Sequence, residues 1–290
     1  MAVLGVVGGS GVYALDALED ARWEKIESPF GTPSDALLRG RLAGVEAVFL
    51  PRHGRGHRIP PSEIDYRANV DAFKRAGVTD LVSISACGSL REELSPGTFV
   101  LVDQFVDRTH ARAKSFFGAG LVAHVSMADP VCARLCDAIE AAGLALRIPL
   151  RRGGTYLAME GPQFSSRAES ALYRSWGCDV IGMTNMPEAK LAREAELCYA
   201  SVAMVTDYDC WHPHEEDVAV ADIVALLARN ADLGRALVAD LAPRLRARPV
   251  PCPNGCDRAL DRALITEPAA RDPEALRRLD AIAGPALARR

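Results

Sequence analysis

The sequence predicts an α/β fold: a single domain with a mixed, mostly parallel central sheet flanked by helices. Two observations predict it. Short apolar segments of strand-like pattern alternate with helix-like segments along most of the chain, which is the order that βαβ units produce. The 290 residues, 49% of them hydrophobic and 25% charged, suffice to bury the core of one large domain. The same composition excludes a disordered or collagen-like chain.

The first half of the chain contributes four predicted strands and two predicted helices. Continuous apolar runs predict buried strands, and apolar residues that recur on one helical face predict helices. Gly77 and Gly143 are expected to end the two helices, because glycine favours the left-handed conformation that follows a helix. In chain order the elements are strand 3–7, strand 45–50, helix 65–76, strand 80–86, strand 98–102 and helix 130–142.

The second half continues the alternation up to a proline-rich segment. Gly177 and Pro243 are expected to end two of its helices. The elements are strand 154–159, helix 166–176, strand 179–183, helix 187–196, strand 199–206 and helix 215–241. Prolines and Gly255 in residues 248–255 predict the end of the compact domain. The sequence therefore predicts a domain of residues 1–247 and a C-terminal tail of residues 248–290 with short helical segments.

Charge and hydropathy predict neither a nucleic-acid partner nor a membrane. The 34 basic and 38 acidic residues give a formal net charge of −4, and the basic residues are spread along the chain instead of forming a stripe. The apolar N-terminal run is short and has no basic region before it, so it resembles neither a signal peptide nor a membrane anchor. We therefore expect a cytoplasmic protein.

Eight cysteines are scattered among strand-like and helix-like segments, which favours reduced, mostly buried thiols over a disulfide framework. Cys252 and Cys256 are the one close pair of interest. The chain after Cys256 has no further cysteine or histidine, so a closed zinc site would need distant ligands. The pattern favours two tail thiols, and no metal is predicted.

Hydrogen-bond donors follow three of the predicted strands. In open α/β sheets, ligands bind beyond the carboxyl ends of the strands. Glycine-rich loops, arginine, histidine and hydroxyl groups all suit an oxyanion, so the pattern predicts bound inorganic phosphate without a metal. The three segments are Gly8-Gly9-Ser10-Gly11, Pro51-Arg52-His53-Gly54-Arg55-Gly56-His57 and Ser85-Ala86-Cys87-Gly88-Ser89.

Structural interpretations of these segments stay open. The first loop alone is also typical of a tight turn, and the second of a solvated surface loop. Cys87 and Ser89 are also typical of close strand packing. The first loop lacks both the Gly-Lys-[Ser/Thr] of a P-loop and the G-x-G-x-x-G of a dinucleotide site, which disfavours a nicotinamide enzyme.

Three later segments suit an organic ligand. Phe164 is placed either to stack on a planar ring or to pack in the core. Ser166 and Glu169 have capping-box spacing, so Ser166 is interpreted as a helix cap and not as a catalyst. Thr184 suits an oxyanion donor and a helix start equally. Asp207 and Asp209 lie on the same side of the strand end if the segment stays extended, and we interpret them as a pair that meets one ligand.

Seven of the chain's segments resemble the purine nucleoside phosphorylase superfamily, and within it the chain is most similar to the 5′-methylthioadenosine phosphorylases. The resemblance runs from about residue 3 to residue 241 and implies a phosphorylase/hydrolase-like fold. It also implies a homotrimer, with phosphate as a co-substrate and no cofactor. The segments that carry it are residues 8–11, 28–35, 51–54, 86–92, 103–109, 160–169 and 203–211.

The resemblance also implies roles for individual residues. Phosphate binding falls to Ser10, Arg52, His53, Ser85, Ala86 through its backbone, and Thr184. Met183 contacts the ribose, Phe164 and Ser165 contact the base, and Asp207 and Asp209 recognise the purine. The pocket for the methylthio group is formed by Val220, Ile223 and Val224, with His57 nearby and His124 donated by a neighbouring subunit. The i, i+3, i+4 spacing of the three apolar residues is equally typical of core packing.

These roles lead to a hypothesis of phosphorolysis of S-methyl-5′-thioadenosine to adenine and 5-methylthioribose 1-phosphate. Asp207 shares or donates a proton at purine N7, and Asp209 accepts a hydrogen bond from the exocyclic amine of adenine. Relatives that prefer 6-oxopurines have Asn in place of Asp207. Two alternatives stay open: a methylthioinosine or purine nucleoside phosphorylase that prefers 6-oxopurines, and a non-catalytic purine nucleoside binding protein.

Overall fold

A computed structural model describes residues 2–9, 11, 16–212 and 220–289, except for the side chains of residues 220–225. Within that part the strands are β1 (Val3–Gly8), β2 (Glu19–Glu24), β3 (Leu37–Leu42), β4 (Val45–Pro51), β5 (Asp80–Ser89), β6 (Phe99–Val102), β7 (Gln104–Asp107), β8 (Leu150–Arg152), β9 (Thr155–Ala158), β10 (Val180–Gly182) and β11 (Cys198–Asp207). The helices are α1 (Tyr66–Arg75), α2 (Ala133–Ala145), α3 (Arg167–Ser175), α4 (Asn185–Glu194), α5 (Val220–Arg244), α6 (Pro273–Arg278) and α7 (Asp280–Ala288).

The eleven described strands form one sheet that branches at β5. On one side, β5 pairs in parallel with β1, which in turn pairs in parallel with β4. On the other side, β5 pairs in parallel with β11. The C-terminal end of β5 pairs antiparallel with β10. β10 pairs in parallel with β9, and β9 pairs in parallel with β7. Among the described strands, six of the ten pairings are parallel, as the sequence predicted.

The core lies on both faces of this sheet. Side chains that alternate along β4 separate into two clusters, with Leu50 on one face and Phe49 on the other. Residues of α1, α4 and α7 cover the first face, and residues of α2 and α5 cover the second. Both faces of the central strands are therefore buried, which explains why those strands read as continuous apolar runs.

Four strands, β2, β3, β7 and β8, were not predicted from the sequence. In β2, all residues from Glu19 to Trp23 are exposed, and β8 has only three residues, none of them buried. β3 carries Arg39 and Arg41, and β7 has no buried residue. Such segments lack the apolar run or the clear alternation by which strands are recognised in a sequence.

Two predicted helix ends were wrong. Gly143 lies inside α2, which continues to Ala145, and a Cβ atom at this position would lie 2.8 Å from the Leu150 side chain. Close packing of the helix on β8 therefore accounts for this glycine. Pro243 lies in the last turn of α5, which ends one residue later at Arg244. The predicted start of this helix, at residue 215, lies outside the described residues.

Residues 248–289, predicted as a tail, pack against the rest of the chain. Ile282 of α7 is fully buried in the same cluster as α1, and Leu264 forms a β-bridge with Ala123. The predicted division at residue 247 stays a prediction. None of the helices in the described part of the chain has the length and apolar character that crossing a membrane requires.

Candidate active site

The phosphate-binding candidates that the structure describes lie around a break in the pairing of β5. The partner strand β1 ends its pairing at Ile84, and β10 begins its pairing at Gly88. On this edge, residues 85–87 pair with no strand among the described residues. Ala86 is exposed although it lies in the middle of a central strand. The break therefore opens a site at the centre of the sheet, beside the ends of β1 and β4.

Arg52, directly after β4, is only 1% exposed and is held by several acceptors. Its Nε atom donates to Oε2 of Glu188 at 2.9 Å, and its Nη2 atom donates to Ser83 Oγ at 2.6 Å and to the Val7 carbonyl at 3.2 Å. Its Nη1 atom donates to the Ile84 carbonyl at 3.3 Å, next to the break in pairing. The guanidinium thus joins β1, β5 and α4 beneath the site, and its direct role in phosphate binding stays a prediction.

His53 is buried beside Arg52 and is neutral. Burial, with the charge of Arg52 adding to it, lowers the pKa of His53 to about 4. Its Nδ1 atom lies 2.9 Å from the Ile59 carbonyl, which can only accept, so Nδ1 carries the proton. The ring stacks on His57, with the ring centroids 4.2 Å apart. The Nε2 atom of His53 is therefore a hydrogen-bond acceptor at neutral pH.

On the β11 side of this break, buried polar side chains form a series of hydrogen bonds. The Ser85 hydroxyl donates to Oδ1 of Asn185 at 3.2 Å, and Nδ2 of Asn185 donates to the Ser201 hydroxyl on β11. Thr184 is buried at the start of α4, and its side chain makes no capping hydrogen bond. Of the two roles open for Thr184, the helix cap is therefore not observed, and the oxyanion role stays a prediction.

The two carboxylates lie together at the end of β11. The Asp209 N–H donates to Oδ1 of Asp207 at 2.9 Å, and the Thr206 hydroxyl donates to Oδ2 of Asp207 at 2.7 Å. Residues Asp209–Trp211 form a short 3₁₀-helix, so this turn, and not the expected strand alternation, brings the acids together. A Cβ atom at Gly88 would lie 2.9 Å from Oδ1 of Asp207, so glycine lets β5 pass close to the pair.

Asp209 offers an acceptor that the described residues leave without a partner. Its Oδ2 atom is buried and makes no hydrogen bond in that part of the chain. Burial raises the pKa of Asp209, the nearby Ser170 hydroxyl opposes the rise, and the charge of Asp207 adds to it. Buried carboxylate oxygens are rarely left without a donor, so this atom is suited to accept one from a ligand.

The loop after β9 is held by Arg112, which sequence reasoning missed. Arg112 is buried, and its Nη2 atom donates to the Glu160 carbonyl at 2.6 Å. Its Nη1 atom donates to the carbonyls of Met183 at 2.5 Å and Met186 at 2.7 Å. One guanidinium therefore joins the loop of residues 160–169 to the segment that contains Met183. The sequence gives little indication of this role, because Arg112 lies in a segment without a helix or strand pattern.

The base-contact candidates lie on this same loop. Ser166 accepts from the Glu169 N–H and completes a capping box at the start of α3, which confirms its interpretation as a cap. Phe164 is 84% exposed, so it is not a core residue in this structure. Ser165 is buried, and its carbonyl accepts from the Cys210 thiol at 3.2 Å. That contact brings the loop against the segment that carries Asp207 and Asp209.

The sequence model of the Phosphorylase superfamily matches residues 3–242. A relative from Cereibacter sphaeroides, named S-methyl-5′-thioadenosine phosphorylase, is 65% identical over 285 residues, which are 98% of this chain and 98% of the relative. This chain belongs to the phosphorylase superfamily. The match to the relative also extends into the C-terminal segment, beyond the part that the superfamily model covers.

Solved structures confirm the fold of this phosphorylase. A methylthioadenosine phosphorylase from an Antarctic soil metagenomic library is 46% identical, with a TM-score of 0.92 over 97% of this chain and 98% of that chain. A mutant of adenosine/methylthioadenosine phosphorylase from Schistosoma mansoni, solved with methylthioadenosine, is 36% identical, with a TM-score of 0.80 over 86% of this chain and 93% of that chain. The predicted fold class and family are both confirmed.

Several other predicted site residues of this phosphorylase are exposed or lie outside the described residues. His57 is exposed and stacks on His53. His124 is also exposed, with its backbone N–H bonded to the Ala263 carbonyl at 2.9 Å. Ser10 lies outside the described residues. The side chains of Val220, Ile223 and Val224 also lie outside them, although their helix α5 is described.

Proposed function

We propose that this phosphorylase is a pentosyltransferase that cleaves S-methyl-5′-thioadenosine with inorganic phosphate, releasing adenine and 5-methylthioribose 1-phosphate. The reaction belongs to purine and methionine salvage. One observation carries the proposal: Asp209 holds a buried, unpartnered acceptor beside Asp207 in the described part of the chain. The pair lies at the end of the strand that adjoins the break in β5, and relatives of 65% and 63% identity are named for this activity.

Phosphate is the nucleophile of the proposed reaction. It binds at the break in β5, held by Ser10, Arg52, His53, Ser85, Thr184 and the backbone of Ala86. There its negative charge stabilises the oxocarbenium-like transition state that cleavage of an N-glycosidic bond requires. His53 is neutral, with its proton on Nδ1, so Nε2 accepts the hydrogen of hydrogenphosphate.

The leaving base is bound by the acidic pair. Asp207 shares or donates a proton at purine N7, which relieves the negative charge that develops on the base. Oδ2 of Asp209 accepts from the exocyclic amine of adenine. A 6-oxopurine presents a carbonyl instead and leaves two acceptors opposed, so the pair selects 6-aminopurines. Phe164 and Ser165 contact the base, and Met183 contacts the ribose.

The substrate's methylthio group binds at a subunit interface in this proposal. Val220, Ile223 and Val224 of α5 form the apolar pocket, with His57 nearby and His124 supplied by a neighbouring subunit of a homotrimer. The exposure of His124 in the single chain supports this arrangement. Light scattering should give three times the chain mass of 31.1 kDa, and a monomer would contradict the shared site.

The reaction uses small molecules only. Phosphate is a co-substrate, and no cofactor or catalytic metal takes part. Nucleic acid and membranes are not partners, and the cytoplasmic location stays a prediction of the sequence.

The decisive experiment measures base release with and without inorganic phosphate. S-methyl-5′-thioadenosine and methylthioinosine are compared at equal concentration. We expect adenine release that requires phosphate, with little hypoxanthine from methylthioinosine. A preference for methylthioinosine would overturn the assignment of Asp207 and Asp209 and favour a 6-oxopurine enzyme. Tight nucleoside binding without turnover of either compound would favour a non-catalytic binding protein.

A further inference from the structure

Four buried cysteine side chains meet far from the candidate active site. The Sγ atoms of Cys132, Cys198, Cys252 and Cys256 all lie within 4.8 Å of one another. All four residues are at least 97% buried, and each is a free thiol in the structure. No other group of three or more metal-ligating side chains is found among the described residues. These four cysteines are therefore the one candidate metal site among the described residues.

Three separate parts of the fold contribute these thiols. Cys132 is the N-cap residue of α2, and Cys198 is the first residue of β11. Cys252 and Cys256 come from the segment that follows α5, and Cys256 begins a short 3₁₀-helix. The distant ligands that a closed site needs are therefore present. They are separated along the chain and are brought together by the fold, so the sequence alone did not reveal them.

The sulfur spacing is close to that of a tetrahedral metal site. Zinc binds thiolates at about 2.3 Å, which places the sulfurs at the corners of a tetrahedron about 3.8 Å apart. Cys132 Sγ lies 3.7 Å from Cys252 Sγ. A disulfide would instead require a sulfur separation of about 2.05 Å and would link only two of the four. The arrangement of four mutually close sulfurs therefore favours a shared central ion over paired disulfides.

Positive side chains flank the cluster. Nη2 of Arg248 donates to Cys198 Sγ at 3.6 Å, and the side chain of Arg134 also reaches Cys198. Both arginines pair with Asp80, which is fully buried and holds them in place. Four thiolates around a divalent cation carry a net charge of about −2, so two guanidinium groups offset that charge in a buried setting.

We propose that Cys132, Cys198, Cys252 and Cys256 bind one zinc ion in a closed, structural site. The protein supplies all four ligands, so no coordination position is left for substrate or water. The ion fastens the segment after α5 to the start of α2 and to the first residue of β11. Asp207 is the last residue of the same ten-residue strand, about 30 Å away at the usual rise, so the site takes no part in the proposed reaction.

The first test measures metal content in the full-length protein, purified without a metal-affinity tag. We expect about one zinc per chain by elemental analysis, and its release when a mercurial titrates the thiols. Cys252→Ser and Cys256→Ser should each lower the zinc content at least tenfold. Cys178→Ser is the matched control, because Cys178 is equally buried but packs in a different cluster, and it should retain the metal.

A second test does not depend on how the variants fold. Wild-type protein grown with Co²⁺ in place of zinc should show the intense visible and near-ultraviolet absorption of tetrahedral cobalt bound to thiolates. A strong chelator should lower the thermal midpoint of the wild-type protein, and added zinc should restore it. Zinc-free wild-type protein from zinc-supplemented cells would overturn the proposal. Iron in place of zinc, or disulfides among the four cysteines, would overturn it as well.

Discussion

Arg52 and Glu188 form a buried ion pair beneath the candidate phosphate site, with Nε of Arg52 2.9 Å from Oε2 of Glu188. Both side chains are at least 96% buried. The Tyr199 hydroxyl donates to Oε1 of Glu188 at 2.9 Å, so both carboxylate oxygens have partners. Because α4 carries Glu188 and β4 leads directly into Arg52, the pair fixes the position of the loop that presents His53.

The first prediction concerns this pair. Glu188→Gln leaves the buried charge of Arg52 uncompensated, and losing one partner of a buried pair typically costs about 3–5 kcal/mol. Urea unfolding at neutral pH measures the loss. Glu274→Gln is the control, since Glu274 pairs with Arg277 on the surface and surface pairs contribute about 0–1 kcal/mol. Equal losses in the two variants would contradict the assigned role of Glu188.

The fold was largely predictable from the sequence, and the exceptions have a physical explanation. Central strands such as β1 and β5 are buried on both faces, so their apolar runs were recognised, although β5 continues three residues beyond its predicted end at Ala86. The edge strand β2 is mostly exposed and carries no such signal. The branching of the sheet at β5 depends on pairing between distant segments, which a single sequence does not encode locally.

The site was less predictable than the fold. The donor loops after β1 and β4 were identified, but Glu188 and Arg112 were not. The contacts that give them their roles, with Arg52 and with Met186, span 136 and 74 positions of the chain. Cys252 and Cys256 were interpreted as tail thiols for the same reason. Long-range contacts of this kind become visible only when the chain is folded.

The second prediction concerns His53 and acid stability. Its pKa of about 4 in the folded protein lies below the usual value of 6.5, so the unfolded chain takes up the proton first as pH falls. The free energy of unfolding should therefore decrease between pH 6.5 and pH 4. His53→Asn should remove this contribution, which urea unfolding at several pH values measures. Identical slopes for the wild type and the variant would show that His53 is not held neutral.

The third prediction concerns Glu194, which is buried and accepts from the Ser115 hydroxyl and the Phe116 N–H, both at 2.7 Å. Burial raises its pKa to about 7. The folded protein then holds a proton that the unfolded chain has lost, so this group makes stability fall as pH rises from 4.5 to 7. Glu194→Gln should flatten that part of the profile in thermal unfolding. A profile unchanged by the substitution would contradict the raised pKa.

The fourth prediction concerns base selection by Asp207. Asp207→Asn replaces an acceptor and proton donor with an amide, so turnover of S-methyl-5′-thioadenosine should fall at least about 100-fold. The relative kcat/KM for methylthioinosine should rise, because the amide N–H can donate to a 6-oxopurine. The ratio of the two kcat/KM values serves as its own control for loss of active protein. An unchanged ratio would contradict the assigned role of Asp207.

The central claim, that phosphate attacks the sugar, is tested most directly by identifying the sugar product. The purified protein is incubated with S-methyl-5′-thioadenosine and inorganic phosphate, and the reaction is followed by ³¹P NMR. We predict one sugar 1-phosphate signal that grows in step with adenine release. Adenine release with free 5-methylthioribose and no new phosphorus signal would show hydrolysis by water and contradict the account.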